Sequence, residues 1–262
     1  FERFEPLKTL NLFMTILPLS EGSFTIDATK VFVPFDKDTD DLQQRPTGSL
    51  LVEVQPFLVI SGRHHILLDT GLGFTLPDGE MQIMANLRKY GVDATDITHV
   101  LLSHLHRDHA GGVKEKNAEG FTGKLAFPNA RYFVHRDELH YALQHAGKSY
   151  TVPDFDILEN SPQRELLDDA GTIDGIIQYE KTGAHSKYHT VFWIGEGSNK
   201  VFFGADVAPQ LQQMKRRFVA KYDFDGKKSM ELRAEWWERG KQEFWTFTFY
   251  HDIKTPTYRA AS

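Results

Sequence analysis

The chain has 262 residues, a formal net charge of −6 and no cysteine. The missing thiols exclude disulfides, thiolate metal ligands and a cysteine nucleophile. The acidic balance argues against a nucleic-acid partner, which needs a clustered basic face. Lys215-Arg216-Arg217 and Lys227-Lys228 are short basic groups that read as solvated surface. The apolar run over residues 10–19 is broken by Asn11, Thr15 and Pro18 and is too short to span a bilayer. Glu2 and Glu5 ahead of it do not suit a secretory leader. A cytoplasmic protein without a membrane partner is the expectation, folded as one domain over residues 1–262.

Residues 10–17 and 22–27 read as strands. Residues 30–46 carry Pro34 and few apolar anchors and read as a loop. Its Phe32 and Phe35 suit either a packed cluster beneath the loop or a lip over a site. Residues 49–60 and 64–69 are strand-like, with Ser61-Gly62 as the turn between them. Asp69 closes the second strand, where Thr70-Gly71 forces a turn. His64 and His65 are adjacent, point to opposite faces and fit structural roles. Residues 80–90 place Met81, Met84 and Leu87 at helical spacing and stop at Gly91.

Val100-Leu101-Leu102 reads as a short buried strand that delivers His104, His106, Asp108 and His109. On an extended chain, side chains two apart share a face, so His104 and His106 point together. Asp108 and His109 fall where Gly111 and Gly112 let the backbone turn sharply. One segment thus offers two ligands to one cation and two to a neighbour, with donors that zinc or a similar first-row divalent ion binds. An ordinary His-rich loop is the plainer alternative; the spacing, the preceding strand and the following glycines weigh against it.

Residues 125–135 read as a turn and strand, and residues 137–145 as a helix capped by Asp137. His135, His140 and His145 lack a carboxylate at ligand spacing and read as surface or core. Residues 149–161 form a loop that could offer Tyr150 and Phe155 to a pocket, and residues 172–181 return to strand. Residues 191–194 and 200–203 make a hairpin ending in Gly204-Ala205-Asp206, where small residues let a carboxylate approach a metal; a helix cap is the alternative. Residues 210–240 are helical with a break at 223–226, and residues 245–250 alternate aromatic and polar residues in a strand that delivers His251. No internal repeat or interdomain linker appears.

The run His104-Leu-His-Arg-Asp-His109, with Leu67-Leu68-Asp69-Thr70-Gly71 before it, resembles the metallo-β-lactamase superfamily from about residue 10 to 252. Thr182-Gly183-Ala184-His185 is similar to its Thr-Pro-Gly-His segment, with Gly-Ala in place of Pro-Gly. The resemblance implies an α+β fold, a four-layer αβ/βα sandwich with two facing sheets, helices outside and metals at one edge. It implies that His104, His106 and His185 hold one cation, that Asp108, His109 and His251 hold a second, and that Asp206 bridges them. Two divalent ions, Zn2+ foremost, are the expected cofactors. In the same pattern Asp69 fixes the tautomer of a ligating imidazole, His189 does not bind metal, and Asp252 is a candidate partner for His251. Three ligands and a bridge leave an open position on each ion, as in catalytic sites. A water between two such ions would ionise near neutral pH, since one zinc alone brings its pKa to about 7. Asp108 is then expected to protonate the leaving group.

Asp206-Val-Ala-Pro209 followed by Lys221-Tyr-Asp-Phe-Asp225 is similar to the quorum-quenching lactonase branch, which implies a small-molecule lactone as substrate. Several lactonases carry a Tyr three residues after the bridging Asp. Here that place is Pro209, and Tyr222 is the candidate to bind the substrate carbonyl instead. Phe32, Phe35, Phe74, Phe155 and Phe218 would suit an acyl chain, though each also suits a core. Phe127-Pro-Asn-Ala-Arg131 resembles the methyl-parathion-hydrolase type, which keeps phosphotriesters as an alternative. Thioester hydrolysis of the glyoxalase II kind lacks its basic C-terminal helices, and a non-catalytic member would have lost ligands. The donor types leave metal identity open, and the oligomeric state is equally open.

Overall fold

The computed structural model describes residues 14–147 and 149–259. Residues 10–13 of the first expected strand lie outside these; its described part pairs as Thr15–Pro18. Two six-stranded sheets carry the architecture. The first runs in the order Thr15–Pro18, Phe57–Ser61, His64–Leu68, His99–Leu101, Arg131–His135, Arg164–Leu167. The second runs Ala170–Ile173, Ile177–Lys181, Thr190–Ile194, Val201–Phe203, Thr246–Thr248, Thr257–Arg259.

The alternation of side chains along each strand decides the layering. Val59, Ile66, Leu68, Leu101 and Phe133 of the first sheet pack against Phe192, Ile194, Val201 and Phe203 of the second. From the opposite face of the first sheet, Leu58, Leu67, Val100 and Val134 meet Ile83 and Leu87 of the helix Gln82–Arg88 and Leu139 and Ala142 of the helix Arg136–Gln144. On the outer face of the second sheet, Val191, Trp193, Phe202 and Phe247 cover Trp236 of the helix Gly226–Gln242. The result is helix, sheet, sheet, helix, the expected αβ/βα sandwich.

Parallel pairing aims the functional residues at one edge. His64–Leu68, His99–Leu101 and Arg131–His135 run parallel, as do Val201–Phe203 and Thr246–Thr248. Their C-terminal ends release Asp69, the residue 103–109 loop, Asp206 and His251 together.

Several expectations need correction. Residues 49–60 are two strands: Leu50–Val54 pairs with Gly22–Ile26 in a separate three-stranded sheet, and Phe57–Ser61 joins the first large sheet. The break falls at Gln55-Pro56, where proline has no N–H for a ladder. The helix after residue 135 is capped by the His135 ring, whose Nδ1 accepts from Asp137 N at 3.1 Å, so Asp137 is not the cap. The expected loop over residues 149–161 contains a helical turn, Val152–Phe155, with a proline in its first turn. A hairpin of Lys114–Asn117 and Gly120–Leu125 went unforeseen because its exposed strands are charged and glycine-containing and show no apolar period. Phe32 packs edge-on to Phe24 at 5.9 Å, against the core cluster and not as a lip, and Phe35 is buried.

One surface clamp gives a testable pH dependence. Glu243, at the end of the last long helix, accepts from Arg239 Nε (2.7 Å), Lys200 Nζ (2.9 Å) and Trp245 Nε1 (2.9 Å). These partners, Arg239 foremost, outweigh the small cost of burial and pull its carboxyl from 4.5 down to about 2. A depressed carboxylate adds stability above its unfolded pKa and loses it as pH falls through the folded one. Glu243→Gln should therefore lower stability at pH 7 by about 1 kcal/mol, since solvent screens this half-exposed group. Thermal melts of the two proteins should converge as pH falls from about 4.5 to about 2.

Candidate metal centre

Asp69, at the end of His64–Leu68, is fully buried and sits in the left-handed region at φ 55°. Its Oδ1 accepts from Ser103 N and its Oδ2 from Ser103 Oγ and His109 Nδ1, each at 2.7 Å. Because Ser103 Oγ donates to Asp69, it accepts from His104 Nδ1 at 3.0 Å. His185 Nδ1 donates to Asp223 Oδ1 at 2.9 Å, and His251 Nδ1 to the Glu53 carbonyl at 2.7 Å. Four imidazoles thus spend their Nδ1 protons on outer partners, which leaves each Nε2 with a lone pair.

Those lone pairs converge. His106 Nδ1 lies 2.9 Å from His104 Nε2 and 3.2 Å from His185 Nε2. Asp206 Oδ2 is 3.1 Å from His185 Nε2, while its Oδ1 is 3.1 Å from His109 Nε2 and 2.9 Å from His251 Nε2. Asp108 Oδ2 stands 3.5 Å from His251 Nε2. The structure therefore brings His104, His106 and His185 into one group, Asp108, His109 and His251 into another, and Asp206 between them. Neutral nitrogens facing one another without protons repel unless a cation lies among them. The buried His109 Nε2 and Asp206 Oδ1 have no hydrogen-bond partner, which a metal ion would supply. The residues present fit divalent cations.

The field agrees. Burial, then the neighbouring imidazoles, lower the pKa of His104 well below the usual value; burial and His185 do the same at His106. Both stay neutral. Burial opposes charge on His109 and His251, yet Asp206 and Asp108 raise both above the usual imidazole pKa. Burial likewise opposes charge on Asp206, but His251, His109 and His185 hold it well below the carboxylate range. A potential that attracts protons this strongly also attracts a metal ion.

The family model described as metallo-beta-lactamase superfamily matches residues 51–257. The chain belongs to that superfamily. Among curated proteins, N-acyl homoserine lactonase AttM of Agrobacterium fabrum is 29% identical over 126 residues, 45% of this chain and 43% of that protein. Atrochrysone carboxyl ACP thioesterase of Aspergillus fumigatus is 39% identical over 59 residues, 22% of this chain and 13% of that protein. The chain thus matches less than half the length of these relatives. Among solved structures, AidC, a dizinc quorum-quenching lactonase in complex with a product, superposes with a TM-score of 0.70 at 19% identity, covering 93% of this chain and 89% of that one. The superfamily's fold is the one described above.

Around the centre, one expected contact is absent and the other residues take definite places. Asp252 does not support His251: it accepts from Leu211 N (2.9 Å), Lys254 N and Thr255 N, which organises the following turn. His189 lies behind His104, ring centroids 5.1 Å apart, with its Nδ1 3.3 Å from Thr182 Oγ1. Tyr222 reaches the rim, its ring 6.1 Å from that of His185. Of the candidate acyl-chain residues, Phe32, Phe74 and Phe155 pack in the core, and Phe218 is exposed. His135 meets Asp169 at 3.2 Å, a partner that only the fold supplies.

Tyr250 was missed: its ring stacks on His109 at 4.2 Å and its hydroxyl donates to the Asp108 carbonyl at 2.6 Å. Its place beside His251, at the end of an aromatic strand, was the available signal. Asp223, which from sequence reads as part of a helix break and of the Lys221–Asp225 pattern, holds His185 Nδ1 at 2.9 Å. A second cluster, His64, His99 and Asp174, lies away from the centre. There the Arg131 guanidinium bonds both Asp174 and His99, so a protein cation already fills it.

Proposed function

We propose that the chain is a metal-dependent hydrolase that opens a lactone ring, an N-acyl homoserine lactone or a close relative. The observation that carries the reading is Asp206, one carboxylate reaching His185 with one oxygen and His109 and His251 with the other. That placement supports two divalent cations, zinc foremost, one on His104, His106 and His185 and the other on Asp108, His109 and His251. Bound there, the cations would supply Lewis acidity and water ionised near neutral pH. The likeness to AttM and AidC supports the lactone.

The chain's own residues then divide the work. Tyr222 accepts from Gln213 Nε2 at 3.5 Å, so its O–H is free to donate to the substrate carbonyl. Exposed Phe218, Val219 and Phe224 flank it and offer contact to an acyl chain. Phe224 N donates to the His185 carbonyl at 3.0 Å, tying this apolar rim to the site. As water adds to the carbonyl carbon its proton passes to the Asp108 carboxylate, which hands it to the leaving oxygen as the ring C–O bond breaks. Only a small molecule fits the reading. Among the described residues no helix is long and apolar enough to cross a membrane.

The match to a thioesterase favours an acyl thioester as the second reading, with the same attack and a sulfur leaving group. An assay of an N-acyl homoserine lactone, an acyl thioester and a phosphotriester side by side decides. The lactone should lead in kcat/KM; a thioester or phosphotriester in the lead would replace the substrate, and no turnover of any would remove the activity.

A further inference from the structure

The helix Arg136–Gln144 carries a fully buried carboxylate, Glu138, that points back towards the metal centre without entering it. Its Oε1 accepts from Leu105 N at 3.0 Å and from the Tyr150 hydroxyl at 3.2 Å. Its Oε2 accepts from Ser186 Oγ at 3.3 Å. Leu105 stands between His104 and His106. Ser186 follows His185. The Tyr150 ring packs edge-on against His106, centroids 5.0 Å apart. One side chain therefore grips the backbone between two histidines of the three-histidine group, the residue next to the third, and the ring beside the second.

We infer that Glu138 is a positioning residue for the three-histidine cation site, a role that rests on the two-cation reading above. The group has a geometric problem that a buried carboxylate solves. His104 and His106 come from an extended segment after the first sheet, whereas His185 comes from a loop after Ile177–Lys181 of the second sheet. A backbone hydrogen bond from Thr190 N to the Ser103 carbonyl (2.8 Å) ties the two segments together ahead of His104, but it grips neither Leu105, between the two histidines, nor Ser186, next to the third. Glu138 joins them through the helix, whose Leu139 and Ala142 are anchored in the core beneath the first sheet. Among the hydrogen bonds of Glu138, none reaches the residues that flank Asp108, His109 or His251. Its influence is thus confined to one of the two sites. A residue that merely stabilised the fold would weaken both alike.

The test is Zn2+ titration of cation-free protein against a chromophoric chelator, with thermal melts of the same samples. Supporting groups of this kind typically carry about 10–100-fold in metal affinity. Glu138→Ala should weaken one of two equivalents by about that factor and leave the other unchanged. In a His251→Ala background the same loss should appear on the remaining tight site; in a His106→Ala background, already lacking the three-histidine site, the change should add nothing. Glu138→Gln keeps an oxygen for Leu105 N and an amide for Ser186, and should stay within about threefold of wild type. Glu138→Asp keeps the charge but is too short to span both, and should behave like alanine. If the alanine variant does not fold, the Gln and Asp variants decide by the same contrast. Wild-type affinity at both sites in the Ala or Asp variant, or equal weakening of both with a lowered melting temperature, overturns the inference. A wild-type protein that binds no Zn2+ overturns the two-cation reading first and this role with it.

Discussion

Replacing Asp206 with alanine is expected to cut hydrolysis by at least about a thousandfold and to reduce bound cation from two equivalents to one or none. The size follows from its position. Asp206 Oδ2 is 3.1 Å from His185 Nε2, and Oδ1 is 2.9 Å from His251 Nε2, so a single truncation removes a ligand from both groups. It also removes the charge that raises the pKa of His109 and His251. Without it the Asp108 group keeps one carboxylate among its donors and the three-histidine group keeps none. Asp206→Asn retains one oxygen and should lose less. Metal analysis with steady-state kinetics measures both. Full cation content in the alanine variant would mean that Asp206 is not a ligand.

The second large effect concerns backbone contact. Gly111 was expected to supply a sharp turn, but it lies at φ −60°, ordinary helical backbone, and ends the short helix Arg107–Ala110. Its requirement is space: a Cβ there would press into the Leu72 carbonyl and come within 2.7 Å of the Arg107 carbonyl. Gly73, across the contact, combines φ +65° with a Cβ position inside the Gly111 carbonyl. Gly111→Ala should cost about 3 kcal/mol, and Gly73→Ala should cost more because left-handed strain adds to the clash. Gly91 is the control: at φ +70° with open space around it, its alanine variant should cost only about 1 kcal/mol. Denaturant midpoints give the comparison. A Gly111→Ala protein as stable as wild type would show that the Thr70–Gly73 loop need not pack against the ligand helix so closely.

These glycines mark where the sequence was legible and where it was not. The spacing of His104, His106, Asp108 and His109 after an apolar strand could be read because the chemistry is local, written into consecutive residues. A continuous apolar run likewise exposed a strand buried on both faces, Thr190–Ile194. Supporting contacts were not local. Glu138 lies 33 residues from Leu105 and 48 from Ser186, and its partners are a backbone N–H and two hydroxyls, which carry no motif. Asp252 shows the converse failure: adjacency to His251 suggested a partnership, but its oxygens serve the next turn. The break at Gln55-Pro56 was visible as a proline, yet only the pairing revealed that the chain changes sheets there.

In the proposed reading, seven side chains drawn from residues 104 to 251 hold two catalytic cations. Its most direct test is elemental analysis of the purified protein, followed by removal and return of metal. Two equivalents of a divalent cation per chain, activity lost by at least about a thousandfold on chelation and restored by Zn2+, is the expected result. Hydrolysis that continues at full rate in protein freed of metal would contradict it.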